Sequence, residues 1–198
     1  MRLGISKRMH LPVLKVDSCE YAFPIWKFRI VKSIEKTGLK LDGCGIVTIV
    51  KELPQGYYLP PFSLSGKTVL DLGATCGEVA WYYLKHGAKK VICVECDSNR
   101  VKLLKENQRN LSMNIDVVAE PFRSEHLSLP HDFIKCDIEG YEMELLPYAE
   151  SLKPCILEAH TGWVIEQFEK HGFHKITGSS REVSGVRFCM MTNIPSKN

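Results

Sequence analysis

Two stretches of this 198-residue chain concentrate side chains that could do chemistry. The first, Asp71-Leu-Gly73-Ala74-Thr-Cys-Gly77, follows a short apolar run and reads D-x-G-x-x-x-G. Gly73 permits a tight turn with close backbone approach, and Gly77 leads into a helix whose first N–H groups favour an anion. A dinucleotide fingerprint would need glycine at Thr75 and Glu78, and a Walker A loop would need a following Gly-Lys-Ser/Thr; the sequence has neither. Glu95 ends the next apolar run, about 20 residues on, where an acid can grip ribose hydroxyls. A ribose acceptor without a pyrophosphate cradle suits a nucleoside lacking phosphate. S-adenosylmethionine is therefore the expected cofactor, its carboxylate at the turn amides and its amine at Asp71. Asp71, Gly73, Ala74, Gly77, Glu95, Cys96 and Glu120 make up the expected cofactor-binding set.

The second stretch, Lys135-Cys-Asp137-Ile-Glu139-Gly-Tyr-Glu142, packs acids at the mouth of an apolar run. Alternation along an extended chain puts Lys135, Asp137 and Glu139 on one side. Asp137 is expected to orient the methionine amine or the acceptor, and Glu139 to act as general base, since clustered carboxylates raise one another's pKa. Glu142 and Glu144 read instead as acids that stabilise a helix N-terminus. Glu158 and His160 leave a later apolar run toward the same rim, His160 as base or substrate contact. No role is expected for the other histidines. Pyrimidine C5 chemistry would need a cysteine nucleophile at a strand mouth, whereas Cys136 and Cys155 lie inside apolar runs.

The elements that must position these groups are regular from Lys67 onward. Strands are expected at 68–71, 91–95, 115–118, 132–137, 155–158, 173–176 and 186–191. Helices are expected at 78–86, 99–110 (capped by Asp97 or Ser98), 141–146 (ended by Pro147) and 163–171 (capped by Thr161). Strands alternating with helices imply a doubly wound, mostly parallel α/β sheet. The last two strands, joined by a Ser/Gly-rich turn at 177–185, should form an antiparallel hairpin at one edge. Upstream, 24–36 has helical spacing, Asp42-Gly43 signals a hairpin, and Ile46–Val50 reads as a strand. Residues 1–65 thus form a small N-terminal extension, helix plus hairpin, before a cofactor domain at 66–198.

Composition bounds the rest. With 44% hydrophobic and 25% charged residues the chain is globular rather than collagen-like or disordered. No apolar run reaches the ~18 residues of a membrane span, and Met1–Arg8 lacks the apolar core of a secretory signal, so a cytoplasmic location is expected. Eight cysteines are too few for a disulfide scaffold. Most read as strand filler, and the Cys93/Cys96 pair, pointing to opposite faces, is not expected to bind metal. The net charge of +3 divides unevenly: residues 1–65 hold ten Lys/Arg and five Asp/Glu, or +5, and the remainder −2. A basic front piece could meet an anionic partner such as RNA.

The residues also carry a family resemblance. Val69-Leu-Asp-Leu-Gly-Ala-Thr-Cys-Gly77 with Val94-Glu95 resembles motifs I and II of class I S-adenosylmethionine-dependent methyltransferases. Asp132-Phe-Ile-Lys-Cys-Asp-Ile-Glu-Gly-Tyr-Glu142 resembles the signature of the FkbM-like subgroup, and Ile156-Leu-Glu-Ala-His160 its fifth strand. The likeness covers residues 66–192. It implies a seven-stranded Rossmann-like sheet and methyl transfer, often to a hydroxyl oxygen of a small-molecule or carbohydrate-like acceptor. Asp137-Ile-Glu-Gly stands where methyltransferases of base and glutamine amino groups show Asn/Asp/Ser-Pro-Pro-Tyr/Phe. An RNA methyltransferase and a non-catalytic nucleoside-binding protein are the alternatives.

Overall fold

The computed structural model describes residues 2–5, 12–16, 19–22, 28–183 and 185–195. Near the N-terminus, β1 (Arg2–Ile5), β2 (Pro12–Val16) and β3 (Cys19–Ala22) pair antiparallel as a three-stranded sheet. Helix α1 spans Phe28–Glu35; the remainder of the expected 24–36 helix toward its start lies outside the described residues.

The expected hairpin and strand after Leu41 are replaced by helix. Asp42 accepts a hydrogen bond from the Gly45 N–H (2.8 Å), capping α2 (Gly43–Val47), which runs on into a π-helical turn, Thr48–Glu52. Asp-Gly thus acts as an N-cap rather than a turn. Ile46, Ile49, Val50 and Leu53 are all buried, and their spacing is that of one helix face. Asn107, also buried, fastens this segment to the core: its side-chain N–H groups donate to the Lys40 and Cys76 carbonyls.

From Thr68 the chain alternates as expected. The strands are β4 (Thr68–Leu72), β5 (Lys90–Val94), β6 (Ile115–Val118), β7 (Phe133–Cys136) and β8 (Cys155–Ala159). They pair in parallel in the order β8-β7-β4-β5-β6. Helices α3 (Glu78–Lys85), α4 (Ser98–Asn110) and α5 (Gly162–Lys170) form the crossovers, α4 capped by Asp97 and α5 by Thr161. Residues Phe133–Cys136 and Cys155–Ala159 are buried throughout, as strands covered on both faces must be. One face packs against α3 and residues 34–64, the other against α5 and the Leu145 region. The segment upstream of residue 65 therefore shares the core of the sheet.

Two expectations need correction here. The helix expected to stop at Pro147 is a 3-10 helix, Glu142–Ser151, that runs through it. The sheet has eight strands instead of seven, because the 177–185 connection itself contains β10 (Arg181–Val183). β11 (Val186–Thr192) lies antiparallel between β8 and β10 and also pairs with β9 (His174–Lys175). Among the described residues, no helix is long and apolar enough to cross a membrane.

The chain runs outward from β4 through β5 to β6 and then returns to β7 on the other side of β4, so the sheet order reverses between β4 and β7, where ligands of such sheets bind beyond the strand ends. There the packing is tight. Gly73, at φ +76°, follows β4, and a Cβ on it would lie 1.8 Å from the Asp137 carbonyl oxygen. At Gly172 (φ +83°) a Cβ would meet nothing within 4 Å. Gly172→Ala should therefore cost only about 1 kcal/mol of conformational strain. Gly73→Ala should cost at least about 2 kcal/mol more through overpacking. Urea unfolding of both variants tests this, and equal midpoint shifts would show that the close approach is not confining.

Candidate functional site

At the switch point a pocket of about 350 Å³ opens beyond the strand ends, within the ~300–1,000 Å³ range of ligand sites. Its floor is the turn after β4. Gly73 and Ala74 donate to the Val94 carbonyl (2.9 and 3.1 Å), locking the turn onto β5. Thr75, at φ +50°, donates its N–H to Glu95 Oε2 (2.9 Å), and the Asp97 N–H donates to Glu95 Oε1 (2.8 Å). Glu95 is thereby fixed at the pocket wall, and each of its oxygens keeps a lone pair for a hydroxyl. Pro121 and Phe122, beyond β6, supply an apolar part of the wall, and Cys96 and Glu120 also line it. Glu120 is tied to His126 Nε2 at 2.9 Å.

Gly73, Glu95, Cys96, Glu120, Asp137 and Glu139 all line this pocket. Asp71, Ala74 and Gly77 do not. Asp71 is completely buried and ion-paired with Lys135 Nζ at 3.0 Å, so it is not free to meet a ligand amine. Lys135 Nζ also donates to the Gly73 carbonyl (2.8 Å). Burial opposes its charge, but the neighbouring Asp71 and Asp137 carboxylates hold the ammonium above the usual lysine range. Ala74 is buried, and Gly77 packs against Leu104, a Cβ there meeting Leu104 Cδ1 at 2.5 Å. Both shape the turn without touching the cavity.

At the other end of the pocket β7 stops at Cys136, and the chain turns so that Asp137 and Glu139 both reach the cavity wall. Glu139 takes the left-handed conformation (φ +52°), followed by Gly140 at φ +102°. His160, just past β8, points its Nε2 at Asp137 Oδ1 (3.7 Å) and Glu139 Oε2 (3.5 Å). Its Nδ1 donates to Glu142 Oε1 (2.7 Å), which also accepts from the Gly140 N–H (2.9 Å). Burial disfavours the imidazolium, but this hydrogen bond and the charges of Glu142, Asp137 and Glu158 outweigh it, lifting the His160 pKa to about 9. Glu142 does open the 3-10 helix Glu142–Ser151, as expected, but it is also fully buried and orients His160.

Further groups were not singled out by their spacing. Tyr58, buried in the loop after the 3-10 turn Leu53–Gln55, donates weakly to Glu52 Oε2 (3.2 Å) and Asp137 Oδ2 (3.4 Å). Arg181 of β10 bridges Glu158 (2.5 Å) and Glu52 (3.1 Å). Both reach the site from segments far away in sequence. Cys44 also lines the pocket, but burial pushes its thiol up to about 12, so it stays protonated.

No family model matches the chain. A curated Danio rerio protein, protein arginine N-methyltransferase 6, is 30% identical over 105 residues, 52% of this chain. The match spans only 28% of that protein's length. Among solved structures, a methyltransferase from Pyrococcus furiosus superposes with a TM-score of 0.60 at 17% identity, covering 84% of this chain and 95% of that one. Fibrillarin from Aeropyrum pernix, solved with natively bound S-adenosyl-L-methionine, gives 0.51 at 14% identity, covering 70% and 71%. The fold is that of the Rossmann-like methyltransferases. The likeness to the FkbM-like subgroup rests on residues 132–142 and 156–160 alone.

One wall residue has a pH signature. Glu78 opens α3, is buried, and accepts from the Cys76 N–H (3.1 Å). Burial raises its pKa from 4.5 to about 8, against the pull of its backbone hydrogen bond and Lys135. Between these values the unfolded chain has released a proton that the folded chain keeps. The stability from protonated Glu78 is therefore complete below 4.5 and is lost as pH rises through about 8. Glu78→Gln stays neutral, so thermal melts should show it gaining on the parent chain between about pH 5 and about pH 9. A difference that stays constant with pH would contradict the assignment.

Proposed function

We propose that this chain binds S-adenosylmethionine in the switch-point pocket and transfers its methyl group to a hydroxyl oxygen of a small or carbohydrate-like acceptor. The observation that supports this most is the division of the pocket wall. A fixed carboxylate, Glu95, and the apolar Pro121 and Phe122 stand toward the β5 and β6 side, and the carboxylates of Asp137 and Glu139, with His160 behind them, toward the β7 side. Glu95 suits a ribose diol, Pro121 and Phe122 suit the face of a base, and the acids suit a cationic sulfonium. This donor set fits the nucleoside and has no cradle for a pyrophosphate. Bound there, the cofactor supplies an electrophilic methyl group.

The protein's share of such a displacement is positioning and proton removal. Thr75 and the Gly73 turn hold the pocket floor. Asp137, held by Tyr58, marks the boundary between cofactor and acceptor. Glu139, with His160 and Glu142 behind it, faces the side from which an acceptor hydroxyl enters and receives its proton. Of the two carboxylates expected to meet the methionine amine, Asp71 and Asp137, the role falls to Asp137, the one that reaches the cavity.

Calorimetry of the full chain with S-adenosylmethionine should show one site. Glu95→Ala should weaken it by about 10–100-fold, the worth of one lost charge-assisted hydrogen bond, or by more if both ribose hydroxyls are held. No binding heat and no thermal shift in the parent chain would reject the reading. Incorporation of labelled methyl into metabolite, RNA and protein fractions then tests the acceptor: label confined to RNA, or to protein arginines, would overturn the hydroxyl assignment.

A further inference from the structure

We propose that Asp137, Glu139 and His160 form a site for one divalent transition-metal ion, of the Mn²⁺ or Zn²⁺ type, at the mouth of the pocket. Each residue offers one ligand atom, and the three atoms lie within 4.8 Å of one another. The gaps from His160 Nε2, 3.5 Å to Glu139 and 3.7 Å to Asp137, are long for hydrogen bonds. They are close to the spacing of two ligands on one ion, about 3–3.5 Å for metal–ligand bonds of about 2.0–2.2 Å.

The surroundings of the cluster point the same way. An ionised carboxylate only accepts, so the bond to Glu142 places hydrogen on Nδ1. When the imidazole is neutral, its Nε2 lone pair then faces Asp137 and Glu139. A buried carboxylate behind the imidazole is the usual outer support of a metal-binding histidine. Asp137 Oδ1, the atom that faces Nε2, is buried and has no hydrogen-bond partner among the described residues. Oε2 of the fully buried Glu142 also has none. Three carboxylates thus converge on a single imidazole, an excess of negative charge that one divalent ion would offset. Arg181 does not supply that charge, since it is engaged by Glu52 and Glu158.

The ligand types select the metal. Imidazole with carboxylates suits Mn²⁺, Fe²⁺ or Zn²⁺ better than the all-oxygen sites of Mg²⁺ and Ca²⁺. Three protein ligands leave coordination positions open, and Asp137 and Glu139 belong to the pocket wall, so the open side faces the cavity. On the methyltransferase reading, which this role alone depends on, the open positions take an oxygen of the acceptor and fix it beside the cofactor.

The test is calorimetry of the chelator-treated full chain with MnCl₂ and with ZnCl₂, together with loss of the free Mn²⁺ signal in electron paramagnetic resonance. One equivalent should bind. His160→Ala should abolish binding, and Glu142→Gln, which touches no metal, should weaken it about 10–100-fold. Because His160→Ala could disturb folding, the exposed Glu139→Gln provides a second variant and should also weaken binding, with melting curves as control. No uptake of either ion at millimolar concentration, or unchanged uptake in both His160→Ala and Glu139→Gln, would overturn the site. Calorimetry with S-adenosylmethionine, run on the same metal-free samples, separates the two ideas. Metal binding without cofactor binding would keep the site and reject the methyltransferase reading; the reverse would do the opposite.

Discussion

The buried pair of Asp71 and Lys135 is the constraint around which the site is built. It joins β4 to β7 where the order of the sheet reverses, and the same ammonium grips the carbonyl of Gly73. Three things are therefore fixed together: the register of the two central strands, the direction of the turn leaving β4, and the start of the loop that carries Asp137. A buried pair of this kind adds little net stability, since desolvation cancels much of the attraction. Its value is geometric, because leaving either charge alone would cost about 3–5 kcal/mol, and slipped alternatives are penalised by that amount. The bare backbone of Gly73 lets the Asp137 carbonyl sit against it, so the two loops that floor the cavity can lie side by side.

From this point the chemistry of the pocket changes along the sheet. At the β5 end, the oxygens of Glu95 are held by backbone N–H groups, an arrangement that resists reorientation. At the β7 and β8 ends, carboxylates face an imidazole and one another. The first end is suited to gripping a neutral polyol, the second to stabilising positive charge. A ligand with a sugar at one end and a cationic centre at the other matches both.

Much of this arrangement was legible in the sequence because it depends on local signals. Apolar runs of four or five residues, the Asp97 and Thr161 caps, and glycines closing helices placed the parallel strands and crossover helices within a residue or two. Asp42-Gly43 misled, because the same dipeptide serves as hairpin turn or helix cap. The spacing of Ile46, Ile49, Val50 and Leu53, which favours helix, was the better guide. Asp71 and Glu142 exchanged importance for a reason that no spacing reveals. One is sealed by a lysine 64 positions away, and the other reaches a histidine in a separate strand exit. Tyr58 lies in a loop and Arg181 in a strand of three residues, too short to show a period, and only the closed fold brings them to the site.

The bridge from Arg181 to both Glu52 and Glu158 has a consequence for altering this protein. Tyr57 adds a second tie, its hydroxyl donating to the carbonyl of Gly178. The loop that follows α2 and the connection between β9 and β11 are thus fastened to each other as well as to the sheet. Neither can be exchanged as an independent module. A graft that changes the length of one would free Arg181, release Glu52 and disturb Glu158 beside His160. Reshaping this side of the molecule would therefore take paired changes in two segments more than a hundred residues apart, inherited or engineered together.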